Sequence, residues 1–358
     1  MLSTSFTEAG QRATAFAVFG GVSGSGAAIG MLLGGVLTEF LDWRFTLYVN
    51  VAIAAIAIVG AAALIPRQSR GGDRPQLDIP GTLIVSAGLF AIVYGFAGVE
   101  SHPWSASSTW GFLAGGAVLI AVFGWWQRRT AHPLLPLRVI LDRTRGGAHL
   151  AIFIGGIGLF GAFLFLTFFL QGVLHYSPVM TGIAFLPMVA TLVIAGGVCT
   201  TQVHPRFGAR IPVTAGMLVA AAAMAWLAGI GPDSTYAGHV LAPLMLFGIG
   251  IGATVAPAMN AATTGVRSQD AGIASATVSV AQQIGGSVGI ALLNSLAASA
   301  LAGRLVGADA TDPAVRAAAA VHSYIVAFWA VSAIFAAGAV LCGLILRSGR
   351  PDTAVATG

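Results

Sequence analysis

The stretch Ala148-His-Leu-Ala-Ile-Phe-Ile-Gly-Gly-Ile-Gly-Leu-Phe-Gly-Ala-Phe-Leu-Phe-Leu-Thr-Phe-Phe-Leu170 decides what kind of fold this chain can adopt. It holds no Asp, Glu or Arg, and a single His at its start. About 20 apolar residues carry a helix across the hydrocarbon core of a bilayer. Nine further runs of this kind lie along the chain, so ten spans are expected: Thr14–Leu37, Thr46–Ile65, Pro80–Val99, Thr109–Trp126, Ala148–Leu170, Met180–Thr200, Ile211–Ile230, His239–Asn260, Ala271–Ala298 and Val321–Leu346. Alternation of the strand type is nowhere sustained, which argues against a membrane barrel. The expected fold class is all-α, a polytopic membrane protein.

Composition agrees. Of 358 residues, 57% are hydrophobic and 8% charged, against roughly 25% charged in a soluble domain. The mean hydropathy of +0.88 and the 48 glycines suit packed membrane helices. A soluble enzyme, a disulfide scaffold and a disordered chain are excluded. The pI near 9.9 does not imply nucleic acid, because no cluster of basic residues is dense enough to form a binding face. Cys199 and Cys342 stand in separate apolar runs and imply neither a disulfide framework nor a metal site.

The 17 basic residues are all Arg, and their placement orients the spans. Fourteen fall on one side, from Arg12 through Arg67, Arg70, Arg74 and the Arg128–Arg145 group to Arg347 and Arg350; only Arg44, Arg304 and Arg316 fall on the other. The positive-inside rule puts both termini in the cytoplasm. Trp43, Trp104 and Trp110 then sit near outer span ends, and Trp125 and Trp126 near an inner one. Met1–Gly10 shows no signal-peptide pattern. The Pro- and Arg-rich connection Gln127–His149 is the one real linker, and its Leu134, Leu135, Leu137, Val139 and Ile140 could lie in the interface.

Enzyme signatures are missing: there is no H-E-x-x-H and no P-loop, and no catalytic group or cofactor is expected. Gly248-Ile-Gly250-Ile-Gly252 imitates a dinucleotide fingerprint but has no strand before it, so helix packing is its reading. Gly26, Gly30 and Gly34 recur every fourth residue, with Gly35 next, and put small residues on one helix face where a neighbour can approach closely. Asn50, Gln171, Asn260, Gln282, Gln283 and Asn294 are amides inside or at the edge of apolar runs. In hydrocarbon each either bonds another helix or faces a watery cavity. Gln282 and Gln283, beside Gly285, Gly286 and Gly289, are the best cavity candidates. Phe160, Phe163, Phe165, Phe168 and Phe169 could line an apolar pocket or face lipid. No acid or Arg lies inside a span; Glu39 and Glu100 stand at the edges, and His149, His239 and His322 at span ends, where snorkelling is expected.

Several ordered motifs carry a family likeness. Gly26-Ala-Ala-Ile-Gly30-Met31-Leu-Leu-Gly34-Gly35, followed by Asp42-Trp-Arg-Phe45 and Asn50, resembles the fifth-span antiporter motif of the major facilitator superfamily, and more narrowly that of the fourteen-span drug:proton antiporters. Asp78-Ile-Pro-Gly81, Ala131-His-Pro-Leu-Leu-Pro136, Tyr176-Ser-Pro178, Thr181-Gly-Ile-Ala-Phe-Leu-Pro187, Arg206-Phe-Gly-Ala-Arg210, Asp270-Ala-Gly-Ile-Ala-Ser275 and Gln282-Gln-Ile-Gly-Gly-Ser-Val-Gly289 continue it in order. Met31 replaces the family's central proline, so the bend it would cause is not expected.

The resemblance implies a major facilitator-type bundle of about ten transmembrane helices, corresponding to spans five to fourteen, with the first four spans lacking. Residues 1–66 would be a two-span remnant of the amino-terminal bundle, 67–147 two extra central spans with the Arg/Pro linker, 148–347 a carboxyl-terminal six-helix bundle and 348–358 a cytoplasmic tail. It implies a secondary transporter of the cell membrane, exporting drugs or other hydrophobic or cationic small molecules against protons; the partners are then the substrate, protons and lipid, not nucleic acid, and the chain is a monomer. The alternative is a truncated, non-transporting membrane protein or an assembly partner.

Overall fold

The computed structural model describes residues 26, 29–64, 78–97, 106–130, 133–134, 142–264, 266, 271–309 and 311–347. Its elements are helices, and no strand occurs among the described residues. In chain order they are α1 (Ile29–Phe40), α2 (Trp43–Leu64), α3 (Ile79–Ala97), α4 (Ser107–Gln127), α5 (Arg143–Gly172), α6 (Pro178–Val198), α7 (Arg210–Leu227), α8 (Leu241–Thr263), α9 (Ala271–Leu305) and α10 (Pro313–Ile345). Among the described residues nine helices, α2 to α10, are long and apolar enough to cross a membrane. The protein is an all-α, multi-pass membrane protein. Helix α1 is the described part of the first expected span; that span's beginning, and linker residues 135–140, lie outside the described residues.

The expected boundaries need correction at several ends. The run Ala148–Leu170 belongs to a helix that starts at Arg143, because the Asp142 side chain caps it by accepting from the Thr144 and Arg145 amides. The last helix starts at Pro313 and not at Val321, capped by Asp312, which accepts from the Ala314 amide. A charge-free run measures what hydrocarbon tolerates, whereas caps end a helix, and a helix continues into the headgroups. The 35 residues of α9 extend about 52 Å at 1.5 Å per residue, against a core of about 30 Å. Helix α6 likewise runs on through a π turn at Cys199–Val203 to Phe207, where Gly208 ends it with φ 72°, a conformation glycine adopts at little cost.

Helices α5 to α10 share one buried apolar cluster, with Phe165, Phe169, Phe247, Phe328 and Phe335 among its fully buried side chains. Helix α5 lies against α8, α9 and α10, and α8 lies between α6 and α7. Glycine makes the closest crossings possible. A Cβ on Gly250 would stand 2.6 Å from the Ala220 nitrogen, and one on Gly216 2.7 Å from the Gly250 carbonyl oxygen. Gly248 and Gly252 face the Met188 and Leu192 carbonyls of α6. The fingerprint-like glycines are therefore the two flanks of a helix wedged between neighbours.

Helices α3 and α4 pack on each other, and α3 also meets α9. Their arginine-rich ends are joined by Asp78, a buried carboxylate that accepts from the Gly81 amide at 2.9 Å, Trp126 Nε1 at 2.9 Å and Gln127 Nε2 at 2.6 Å. Burial would raise its pKa, but these bonds and one from the Leu134 amide outweigh it and hold the carboxyl below the ordinary aspartate value. At the same end Arg143 donates to the Ile345 and Leu344 carbonyls, tying the start of α5 to the last turn of α10. Helix α2 differs from the rest: none of its most apolar spanning residues is buried.

Candidate substrate cavity

A cavity of about 270 Å³ opens between α1, α5 and α6, toward their arginine-poor ends. Met31, Gly34, Gly35 and Thr38 of α1 form one wall. Helix α5 supplies Phe163, Thr167 and Gln171, and α6 supplies Thr181, Gly182 and Phe185. The Phe163 and Phe185 rings stand 4.6 Å apart between centroids, giving the cavity an aromatic floor. Three hydroxyls and one amide on apolar walls make a surface that accepts a hydrophobic body while bonding its few polar groups. Among its lining residues there is no charged side chain.

The α1 wall is held by close backbone approach and by one carboxylate. A Cβ on Gly35 would come 2.7 Å from the Pro178 carbonyl oxygen, and one on Gly182 3.0 Å from that of Met31. Glu39 Oε2 accepts from the Val179 amide at 2.9 Å. Its hydrogen bonds from Ser177 and from Val179 hold the carboxyl below the ordinary glutamate value. A negative charge is favoured there because the first turn of α6 presents unpaired amides and the positive end of the helix dipole.

Of the residues singled out from sequence, the cavity gathers Gly34, Gly35 and Gln171. Added Cβ atoms on Gly26, Gly30 and Gly34 would meet no heavy atom within 4 Å. Asn50, exposed on α2, donates to the Thr46 carbonyl at 3.0 Å, and Asn260 Oδ1 accepts from Thr264 Oγ1 at 2.9 Å. Gln282, Gln283 and Asn294 lie along α9, and the Gln282 carbonyl is the close neighbour of Gly156 on α5. The six amides are thus spread over several helices and depths and do not line one wall. Of the five phenylalanines between Phe160 and Phe169 on α5, Phe165 and Phe169 are buried in the core, Phe160 and Phe168 are partly exposed, and Phe163 lines the cavity.

Thr38 and Thr167 carry no sequence signal beyond a hydroxyl in or beside an apolar run, and Thr181 stands out only as the start of the Thr181–Pro187 motif, yet all three line the cavity. The sequence alone predicts that His149 snorkels at a span end. The ring is instead buried, 8% exposed, with Nδ1 2.8 Å from the Arg145 carbonyl and Nε2 3.1 Å from Thr277 Oγ1 of α9. Spacing along one helix cannot reveal a hydroxyl on another.

Residues 1–290 match the Major Facilitator Superfamily. The chain is 43% identical over its whole length to the puromycin resistance protein pur8 of Streptomyces alboniger, covering 71% of that protein. It is 34% identical to the cephamycin export protein CmcT of Amycolatopsis lactamdurans, over 85% of this chain and 63% of the relative. To the multidrug resistance protein Stp of Mycobacterium tuberculosis it is 29% identical, over 85% of this chain and 56% of the relative. The chain thus spans between about half and seven-tenths of the length of these curated relatives. A bundle of apolar helices built on close glycine crossings, with relatives named for drug resistance and export, places this chain in the major facilitator superfamily of membrane transporters.

Proposed function

We propose that this protein serves proton-driven export of hydrophobic or cationic small molecules across the cell membrane, by one group of helices rocking against another. The observation that carries the reading is the cavity between α1 and the α5–α6 pair, apolar with a few hydroxyls and one amide, at a junction made of backbone contacts that can part. The names of the relatives support a drug-like substrate, puromycin among them. Export of such a compound needs binding and release, not bond-breaking chemistry, so the role is transport and not catalysis. The arginine distribution supports a plasma-membrane orientation with cytoplasmic termini.

Reconstitution tests this directly. The 358-residue chain in liposomes, given a pH gradient, is expected to move puromycin against its concentration gradient, with the rate collapsing when the proton gradient is dissipated. A second reading, a non-transporting component that packs against other helices, is favoured by the unburied apolar surface of α2. Stable insertion of the chain with no gradient-driven movement would favour that second reading.

A further inference from the structure

We infer that a second cavity, between the arginine-poor ends of α9 and α10 and the loop after α7, seats a membrane phospholipid, its phosphate held by Arg304 and His322 and one acyl chain running down α10. The inference stands apart from the export reading and from the cavity between α1, α5 and α6. The space is about 430 Å³, larger than that cavity and of a size that takes a small ligand or part of a large one. Ile230 after α7 and Val315, Ala319 and Ile325 of α10 line it. Among its lining residues the polar side chains are Arg304 of α9 and His322 of α10.

The donors point to a phosphate. Neither Arg304 nor His322 has a hydrogen-bond or ion-pair partner among the described residues. A guanidinium offers a planar fork that pairs with two phosphate oxygens at once. His322 is half-buried and has at least one ring N–H to donate whether the ring is neutral or charged, so no protonation step is needed. The neighbouring acids do not take these donors. Asp309 accepts from the Thr311 amide and hydroxyl, and Asp312 caps α10 by accepting from the Ala314 amide. With Asp233 beside Pro232 and Arg316 beside Val315, the rim carries both signs. It therefore suits one phosphodiester in a headgroup of no net charge rather than a cluster of negative charges.

Depth and shape point to a lipid rather than to free phosphate. Helices α9 and α10, 35 and 33 residues long, each exceed a core of about 30 Å by about 20 Å. Centred on the core, they put Arg304, one residue before the end of α9, at headgroup depth. His322, about 14 Å along α10, then lies near the edge of the hydrocarbon. Exposed Trp226, near the end of α7, marks the same interface. The cavity also continues down the helix. Ala318, His322, Ile325 and Trp329 recur at helical spacing on one face of α10, and Trp329 is 55% exposed. An anion at Arg304 and His322 thus heads an apolar track open to the bilayer, which inorganic phosphate would leave bare and an acyl chain would cover.

The test is a lipid titration of the full chain in maltoside micelles, read by native mass spectrometry, with phosphatidylcholine as the probe. One phosphatidylcholine is expected to bind saturably. Arg304→Gln removes the charged donor without breaking a contact and is expected to weaken binding about ten-fold, the worth of one charge-assisted hydrogen bond. His322→Leu is expected to weaken it about five-fold, and His322→Gln, which keeps an N–H donor, by about two-fold or less. Arg316→Gln, on the same rim but outside the cavity lining, is expected to bind as wild type. Diacylglycerol with the same chains is expected to bind wild-type protein about ten-fold more weakly, and millimolar inorganic phosphate to displace no lipid. Equal affinities of Arg304→Gln and Arg316→Gln would overturn the site. Equal affinity for diacylglycerol would overturn the phosphate reading, and this comparison decides it even where a variant fails to fold. Displacement by inorganic phosphate would assign the site to a soluble anion and overturn the lipid.

Discussion

Glu39 Oε2 accepts a 2.9 Å hydrogen bond from the Val179 amide, joining residues 140 positions apart. It links the end of α1, which carries the glycine motif, to the first turn of α6, and closes the arginine-poor end of the cavity. Gly35 packs on the same turn, so the carboxylate and the missing Cβ act at one crossing.

This link should weaken in acid. The folded-state pKa of Glu39 lies below its ordinary 4.5, so its contribution is complete above that value and is lost as the pH falls through the lowered one. Glu39→Gln should speed hydrogen exchange in the peptide containing Val179 at pH 7. Wild-type protein, taken stepwise in acid below the ordinary glutamate value and corrected for intrinsic exchange, should approach the variant. Equal exchange in the two proteins at pH 7 would mean that the bond does not hold the turn.

Asp78 should matter more, since it is buried and gathers four side-chain or backbone donors at the foot of α3 and α4. Asp78→Ala removes the carboxylate that Trp126 Nε1 and Gln127 Nε2 donate to and should cost on the order of 2–4 kcal/mol in the α3–α4 pair. Asp78→Asn, which keeps an acceptor, should cost less. Thermal unfolding followed by tryptophan emission distinguishes them, and identical midpoints for the two variants would count against the clamp. Because the Asp78 pKa is lowered in the folded state, its stabilisation holds at neutral pH and is lost below the ordinary aspartate range.

The α7–α8 crossing should reject any side chain. Gly250→Val places carbon where the Ala220 nitrogen already stands 2.6 Å from the Cβ position, and backbone cannot yield as a flexible side chain can. Overpacking of this kind typically costs about 1–3 kcal/mol. Gly111→Val, at a glycine whose Cβ would meet nothing within 4 Å, is the control and should melt much nearer to wild type.

On the export reading proposed above, Gln171→Leu should slow transport of a puromycin probe about five-fold, the worth of one hydrogen bond of about 1 kcal/mol, while leaving thermal stability unchanged because Gln171 is exposed to the cavity. Phe185→Ala, by contrast, removes a buried ring and should lower stability as well as export. Export by Gln171→Leu at the wild-type rate would remove that amide from the substrate path.

Much of the fold was legible in order and number. Nine of the ten apolar runs correspond to helices long enough to span, and the first to a shorter helix described only in part, because hydrocarbon length and the cost of buried charge act on each segment alone. The site was legible only in fragments. Gly34, Gly35 and Gln171 meet at one cavity, while Asn50 and Asn260 turn to partners on or next to their own helices. An amide in an apolar run announces a need for a partner without saying which helix supplies it.

By itself the sequence determined that the chain crosses a membrane many times, where the crossing segments lie, and which of their ends carry the arginines, since each of these follows from the composition of a single segment. Only the tertiary structure decided that Gly35 rather than Gly30 meets α6, that Asp78 clamps two helices, and that His149 is bonded across to Thr277 instead of reaching for solvent. Those outcomes depend on the rotation and depth at which two helices cross, and side chains from both helices set that jointly.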